Sequence, residues 1–298
     1  MVEGRGDFAT TDMILRHPRF VAARDGYIDT LMSLHELRPT PLELMRDGGR
    51  IVVYGVIMAL WGGYREAVPE TWPSVRRLKS EVARFALASP RQIDLVLARF
   101  VQAGYVHVRA APGDARWRLV LPTPGLIEHD RAFIRAHYTP LAAMFGEEPY
   151  ALPLVGDLAF LMAARAAWLA TLGAMAEEVI RPNRPVLRFY AASGGMLMLM
   201  KLARLQSLAG GAAFTIDQTD LGRRFGVSRT HVRTLLQAAA ADGHVVLEGP
   251  GRLRLVPALL DSLDLNIAER LSLLDRSRHR AMRELMVRDL EGAVAPTI

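Results

Sequence analysis

Apolar residues recur at helical spacing along most of the chain. Phe20, Ile28, Leu31, Leu34 and Leu37 form such a stripe within residues 8–38, which Pro39 and Pro41 end. Residues 42–61 read as a helix, nearly apolar over 51–61 and therefore buried, with Gly62-Gly63 after it. Residues 75–85 predict a shorter helix, residues 86–88 a turn, and Ser89-Pro90 an N-cap with proline at the first helical position. Ile93, Leu97 and Phe100 give the next helix its apolar face, and Gly104 stops it. Strands are expected at 105–109 and 117–121, joined by a loop at 110–116. Residues 152–179 predict one long apolar helix, ended near 181–185, and residues 187–208 a second. A last helix is expected at about 257–290, with Leu259, Leu263, Ile267, Leu271 and Leu274 as its stripe. Beyond it, Arg276, Arg278, His279, Arg280 and Arg283 read as a solvated basic face, and residues 292–298 as frayed.

Between these long helices lies the most informative stretch, residues 217–256. It predicts a short helix at 218–224, a turn at Phe225-Gly226-Val227 and a helix from Ser228, which suits an N-cap. Gly243 stands where a helix ends on a left-handed residue, and strands follow at 244–247 and 252–256 around a Gly249-Pro250-Gly251 tip. Val232, Leu235, Leu236 and Ala239 mark the buried side of the second helix. Thr230, Arg233, Thr234 and Gln237 share the other side, with Arg229 in the first turn. A short-armed, cationic, donor-rich face is what a helix in a DNA major groove requires. Arg252 and Arg254 on the return strand add to it.

The segment DLGRRFGVSRTHVRTLLQAAAADGHVVLEGPGRLRLV resembles the winged helix-turn-helix of bacterial transcription regulators, most closely the MarR type. Leu221, Gly222, Gly226-Val227-Ser228, Val232, Leu236 and Gly243 carry the resemblance. It implies that the second helix reads the major groove while the hairpin, or wing, touches backbone or minor groove. MarR-type regulators are homodimers whose terminal helices form the shared core, and they often bind small aromatic effectors beside it. On that implication Trp61, Trp168, Met196, Met198 and Met200 are candidates to line an effector pocket, with ordinary core packing as the competing explanation.

The same pattern occurs earlier. Set 139 residues apart, Ser89 matches Ser228, Val82 Leu221, Arg84 Arg223, Ile93 Val232, Leu97 Leu236 and Gly104 Gly243. Further out the match weakens, with 57–60 falling on 196–199 and 20–37 on 159–176. The expected fold is therefore mainly α with small β wings: two tandem winged helix-turn-helix units, about 72–121 and 214–256, on a helical core with pseudo-twofold internal duplication. The halves would be residues 1–146 and 147–298, with residues 145–150 as the linker. Two winged helices joined by unrelated helices remain the alternative.

Carried across the repeat, Thr230, Arg233, Thr234 and Gln237 become Arg91, Asp94, Leu95 and Ala98. The first unit thus offers Arg91 and Gln92 on its helix, and its cations suited to backbone contact are Arg76, Arg77 and Lys79 before the motif and Arg109, Arg116 and Arg118 on its longer wing. An asymmetric DNA site is expected.

Composition supports an anionic partner without naming it. The chain of 298 residues carries a formal charge of +6, and all of its 37 basic residues except Lys79 and Lys201 are arginine. Cysteine is absent, which fits a reducing cytoplasm and excludes thiolate metal sites. The first residues do not form a signal peptide. Asp157, Arg165 and a high Ala/Gly content argue against a membrane span at 152–179.

No phosphate-binding glycine loop, nucleophile elbow or zinc-protease motif is present. His129 and His137 lie two turns apart and do not make a metal set, and Glu147-Glu148 and Glu177-Glu178 read as helix-end or linker charges. No enzyme, cofactor or metal is expected. Double-stranded DNA is the expected partner, reached by a monomeric pseudo-dimer or a homodimer. Against the regulator stand three other classes: a plasmid-type replication initiator, a nucleoid-associated protein and a winged-helix protein-interaction module.

Overall fold

The computed structural model describes residues 8–36, 47–174 and 183–294. The expected break at Pro39 and Pro41, the pair Glu177-Glu178, the helix end near residue 181 and the last four residues lie outside them. The protein is mainly helical with small antiparallel sheets.

The chain opens with a five-residue helix, α1 (Thr11–Leu15), and a longer one, α2 (Phe20–Glu36). Next come α3 (Gly48–Gly62), α4 (Val75–Ala83) and α5 (Pro90–Gln102). A hairpin of β1 (Val106–Ala111) and β2 (Asp114–Pro122) leads into α6 (Pro124–Phe145). A second five-residue helix, α7 (Ala151–Val155), precedes α8 (Leu158–Ala174), α9 (Arg184–Ala191) and α10 (Gly195–Leu208). Then come β3 (Phe214–Thr215), α11 (Gln218–Arg224), α12 (Arg229–Ala241), β4 (Val245–Gly249), β5 (Arg252–Leu255) and α13 (Pro257–Val294).

Four expectations change. The long helix at 152–179 is broken between α7 and α8. Gly156 adopts φ 71°, and Asp157 caps α8 by accepting from the Phe160 N–H at 2.7 Å. The helix at 187–208 is likewise two, because Gly194 turns left-handed at φ 67°. There the fold is tight: a β-carbon on Gly195 would lie 2.2 Å from the Phe189 carbonyl oxygen. The last helix runs on to Val294. Much of its basic run is packed rather than solvated, since Arg276 lies 4.8 Å from the Phe8 ring and Arg278 lies 4.9 Å from that of Tyr150, whereas Arg283 is exposed as expected. Short β3 was not foreseen; it pairs with β5 and makes a three-stranded sheet ordered β3-β5-β4. No single helix among the described residues is long and apolar enough to cross a membrane.

The long helices interlock. α2 packs on α6 and on α10, while α8 packs on α13 and on α3. α1 lies against α13, and α7 against α6. Small residues let α3 and α8 cross closely: a β-carbon on Gly55 would meet the Trp168 ring at 2.8 Å, and one on Gly62 the Met162 carbonyl at 2.5 Å. The described residues of the two halves therefore pack into each other: one core cluster draws on both, and Trp168 joins a second built around α3 to α5.

Candidate nucleic-acid interface and central cavity

Local chemistry builds α12 as expected. The Asp217 carboxylate caps α11, accepting from the Thr219 N–H at 2.6 Å and the Asp220 N–H at 3.1 Å, and those bonds hold its pKa low. A β-carbon on Gly222 would meet the Val227 carbonyl at 2.7 Å, so glycine lets the two helices approach across the turn. Gly226 at φ 64° makes that turn. Ser228 accepts from the His231 N–H at 3.1 Å and starts α12. Val232, Leu235, Leu236 and Ala239 are buried, whereas Arg229, Thr230, Arg233, Thr234 and Gln237 are all exposed.

Two contacts pin this helix to the body. The ring of His231, through Nε2, meets the Ser193 carbonyl at 3.0 Å near the N-terminus. Arg188 of α9 pairs with Asp242, the C-cap. Behind the hairpin, the buried Gln206 amide bonds both backbone groups of Leu255, at 3.0 and 2.7 Å. The wing arginines are less free than their positions suggested: Arg252 and Arg254 both approach Glu248, at 3.3 and 3.7 Å.

The first unit has the same local construction and a different surface. Ser89 caps α5 in a capping box, so the Gln92 carbonyl oxygen is occupied by the Ser89 N–H at 2.7 Å. Gly104 and Gly243 close the two helices at φ 74° and 76°. Arg91, Asp94, Leu95 and Ala98 are exposed, but Lys79 holds Asp94 at 2.7 Å. On the wing, Arg116 is bound to Asp114 at 2.8 Å, which keeps that carboxyl down at about 2. Arg91, Arg109 and Arg118, like Arg233, make no ion pair among the described residues.

A feature absent from the sequence reading is a cavity among the core helices. It is lined by Ile51 and Tyr54 of α3, Phe85 and Leu87 at the first turn, Phe133 and His137 of α6, Arg165 and Trp168 of α8, Tyr190 of α9 and Arg270 of α13. A second lobe shares Gly48, Ile51, Phe133, His137, Tyr190 and Arg270 and continues to Met196 and Met200. Of the five candidates, Trp168, Met196 and Met200 line these lobes. Met198 is buried elsewhere in the core, and Trp61 packs between the two core clusters.

Two guanidiniums face this mostly apolar space. Arg165 donates through Nε to the buried Asp130 at 2.9 Å and through Nη2 to the other carboxylate oxygen, which also accepts from the Tyr54 hydroxyl. Burial alone would lower the Arg165 pKa; the Asp130 charge more than reverses it. Burial, then Asp130, pushes the Tyr54 hydroxyl well up. Arg270 stacks over Tyr190, 5.6 Å from its ring centre, and its Nε has no hydrogen-bond partner among the described residues. Charged residues inside apolar helices were the available signal: Arg165 was visible at position 165, but its partners were not.

Compared with protein-family models, curated proteins and solved structures, the chain finds no match.

Proposed function

We propose that this chain is a cytoplasmic, sequence-specific DNA-binding transcription regulator with two unlike winged helix-turn-helix units, related by internal duplication. The observation that carries the reading is the exposed row Arg229, Thr230, Arg233, Thr234 and Gln237 on a helix fixed at both ends. Its donors suit base edges, and none of them makes a hydrogen bond or ion pair among the described residues. The duplication draws support from element order. In each half a five-residue helix and a longer one come first, one or two helices follow, and then comes a helix–turn–helix with hairpin and closing helix. It also draws support from packing, because the seating of α2 on α6 and α10 has its counterpart in that of α8 on α13 and α3. One chain then supplies both units of a two-unit site, and a monomer suffices. Selection of genomic fragments by the purified chain tests the reading. Recovery of discrete promoter fragments, with affinity falling steeply as salt rises, is expected. Uniform coverage, or iterated origin repeats alone, would replace it with the nucleoid or initiator reading.

The same proposal includes an effector, a small aromatic acid held in the central cavity. Aromatic walls and Arg270 suit a ring carrying one carboxylate. At a hundred times its Kd such a ligand stabilises by about 2.7 kcal/mol. A thermal-shift series of benzoate-like acids should raise Tm for the natural chain and much less for Arg270→Met. No shift from any acid would leave the cavity as packing.

A further inference from the structure

Both wings carry a bulge, and the wider one is in the first wing. Its pairs Ala110–Arg118 and Ala111–Asp114 leave Ala115, Arg116 and Trp117 without partners on β1. Such a bulge bends a strand and re-aims its side chains. Here Trp117 is left 42% exposed, with its indole beside the Asp114 carboxylate. Beside it opens a groove lined by Ser74, Val75, Arg76, Arg116, Trp117 and Arg118. Asp114, the acid next to the groove, is taken up by Arg116, so Arg76 and Arg118 stand unopposed among the described residues.

A roomy groove with an indole face and guanidiniums matches what holds unpaired strands: aromatic platforms for bases and cations for phosphates. A duplex keeps its bases stacked on one another and cannot offer a base face to Trp117. We propose that this groove binds an unpaired nucleotide of a DNA strand, its base stacked on Trp117 and its flanking phosphates on Arg76 and Arg118. The inference rests on the DNA-binding reading only for its setting, as a second grip beside the duplex reader α12.

The test titrates the full chain with a short oligothymidylate, following tryptophan fluorescence and oligonucleotide anisotropy. Binding with quenching is expected. Trp117→Ala should weaken it at least about 5-fold, and Trp117→Phe should retain most of it, as stacking requires. Both side chains sit at an exposed position, so the fold is kept in either variant. Equal affinity for Trp117→Ala and the natural chain would overturn the assignment, and so would absence of single-strand binding. Tighter, Trp117-dependent binding of oligouridylate would overturn the choice of DNA. Duplex binding without single-strand binding would sink the groove alone. Single-strand binding without any duplex binding would instead sink the regulator and leave the groove standing.

Discussion

Replacing Asp130 with alanine is expected to destabilise the fold by about 3–5 kcal/mol, the cost of leaving a buried charge without its partner. The carboxylate is fully buried and is the acceptor for both Arg165 and Tyr54. Its three members come from α6, α8 and α3, so the cluster ties the two parts of the chain together at the centre of the core. Arg165 cannot turn away to solvent easily. It lies 5.8 Å from the Tyr54 ring centre and 5.7 Å from that of Trp168. Removing both charges together, Asp130→Leu with Arg165→Met, should cost far less, because neither charge is then stranded. Urea unfolding of the three proteins makes the comparison. A loss below about 1 kcal/mol in Asp130→Ala would mean that water reaches Arg165 through the cavity and solvates it.

The second large effect is on DNA. Joint replacement of Arg229 and Arg233 by alanine should weaken duplex binding by about 1–3 kcal/mol for each base edge deprived of its guanidinium, and should flatten the sequence preference. Both side chains are exposed, so stability should hardly move. The matching change in the first unit, Arg91→Ala, should instead lower affinity evenly across sequences, as removal of a phosphate-binding cation does. Electrophoretic titration on a selected fragment and on an unrelated one separates the two behaviours. Unchanged affinity and preference in the double variant would remove α12 from the interface.

Local chemistry explains which parts of the fold could be read from sequence. Ser89, Ser228, Gly104, Gly226 and Gly243 each act within a few residues of themselves, and all five occur in the structure where the pattern placed them. The breaks at Gly156 and at Gly194-Gly195 escaped because the apolar residues around them keep a helical spacing that a continuous helix also satisfies. What breaks these helices is tertiary: Arg131 reaches the Gly156 carbonyl at 2.6 Å, and α10 folds back tightly on Phe189. The basic run after Leu274 was misread for a similar reason. Its partners, Phe8 and Tyr150, lie in distant segments, and no periodicity within the helix announces them.

The surface and the cavity divide along the same line. Exposure of Thr230, Arg233, Thr234 and Gln237 follows from the opposite, apolar face of their own helix, so periodicity alone located it. The cavity draws on α3, α6, α8, α9 and α13, and only the packing of all five brings Arg165 and Arg270 together. Methionine and tryptophan content found part of the lining and missed its charge. Likewise, Arg252, Arg254 and Arg116 were legible as wing cations, but the carboxylates that hold them depend on side-chain reach, across the hairpin from Glu248 and along β2 from Asp114.

The central claim is that two unlike units in one chain read one DNA site, with base specificity under α12. Systematic base substitution across a selected site, read by competition against the unsubstituted duplex, tests it most directly. The account predicts an asymmetric site in which single changes cost about 1–3 kcal/mol in one arm and much less in the other. A perfect palindrome with equal penalties in both arms would contradict it, and would mean that two chains meet on the DNA and each contributes its own α12.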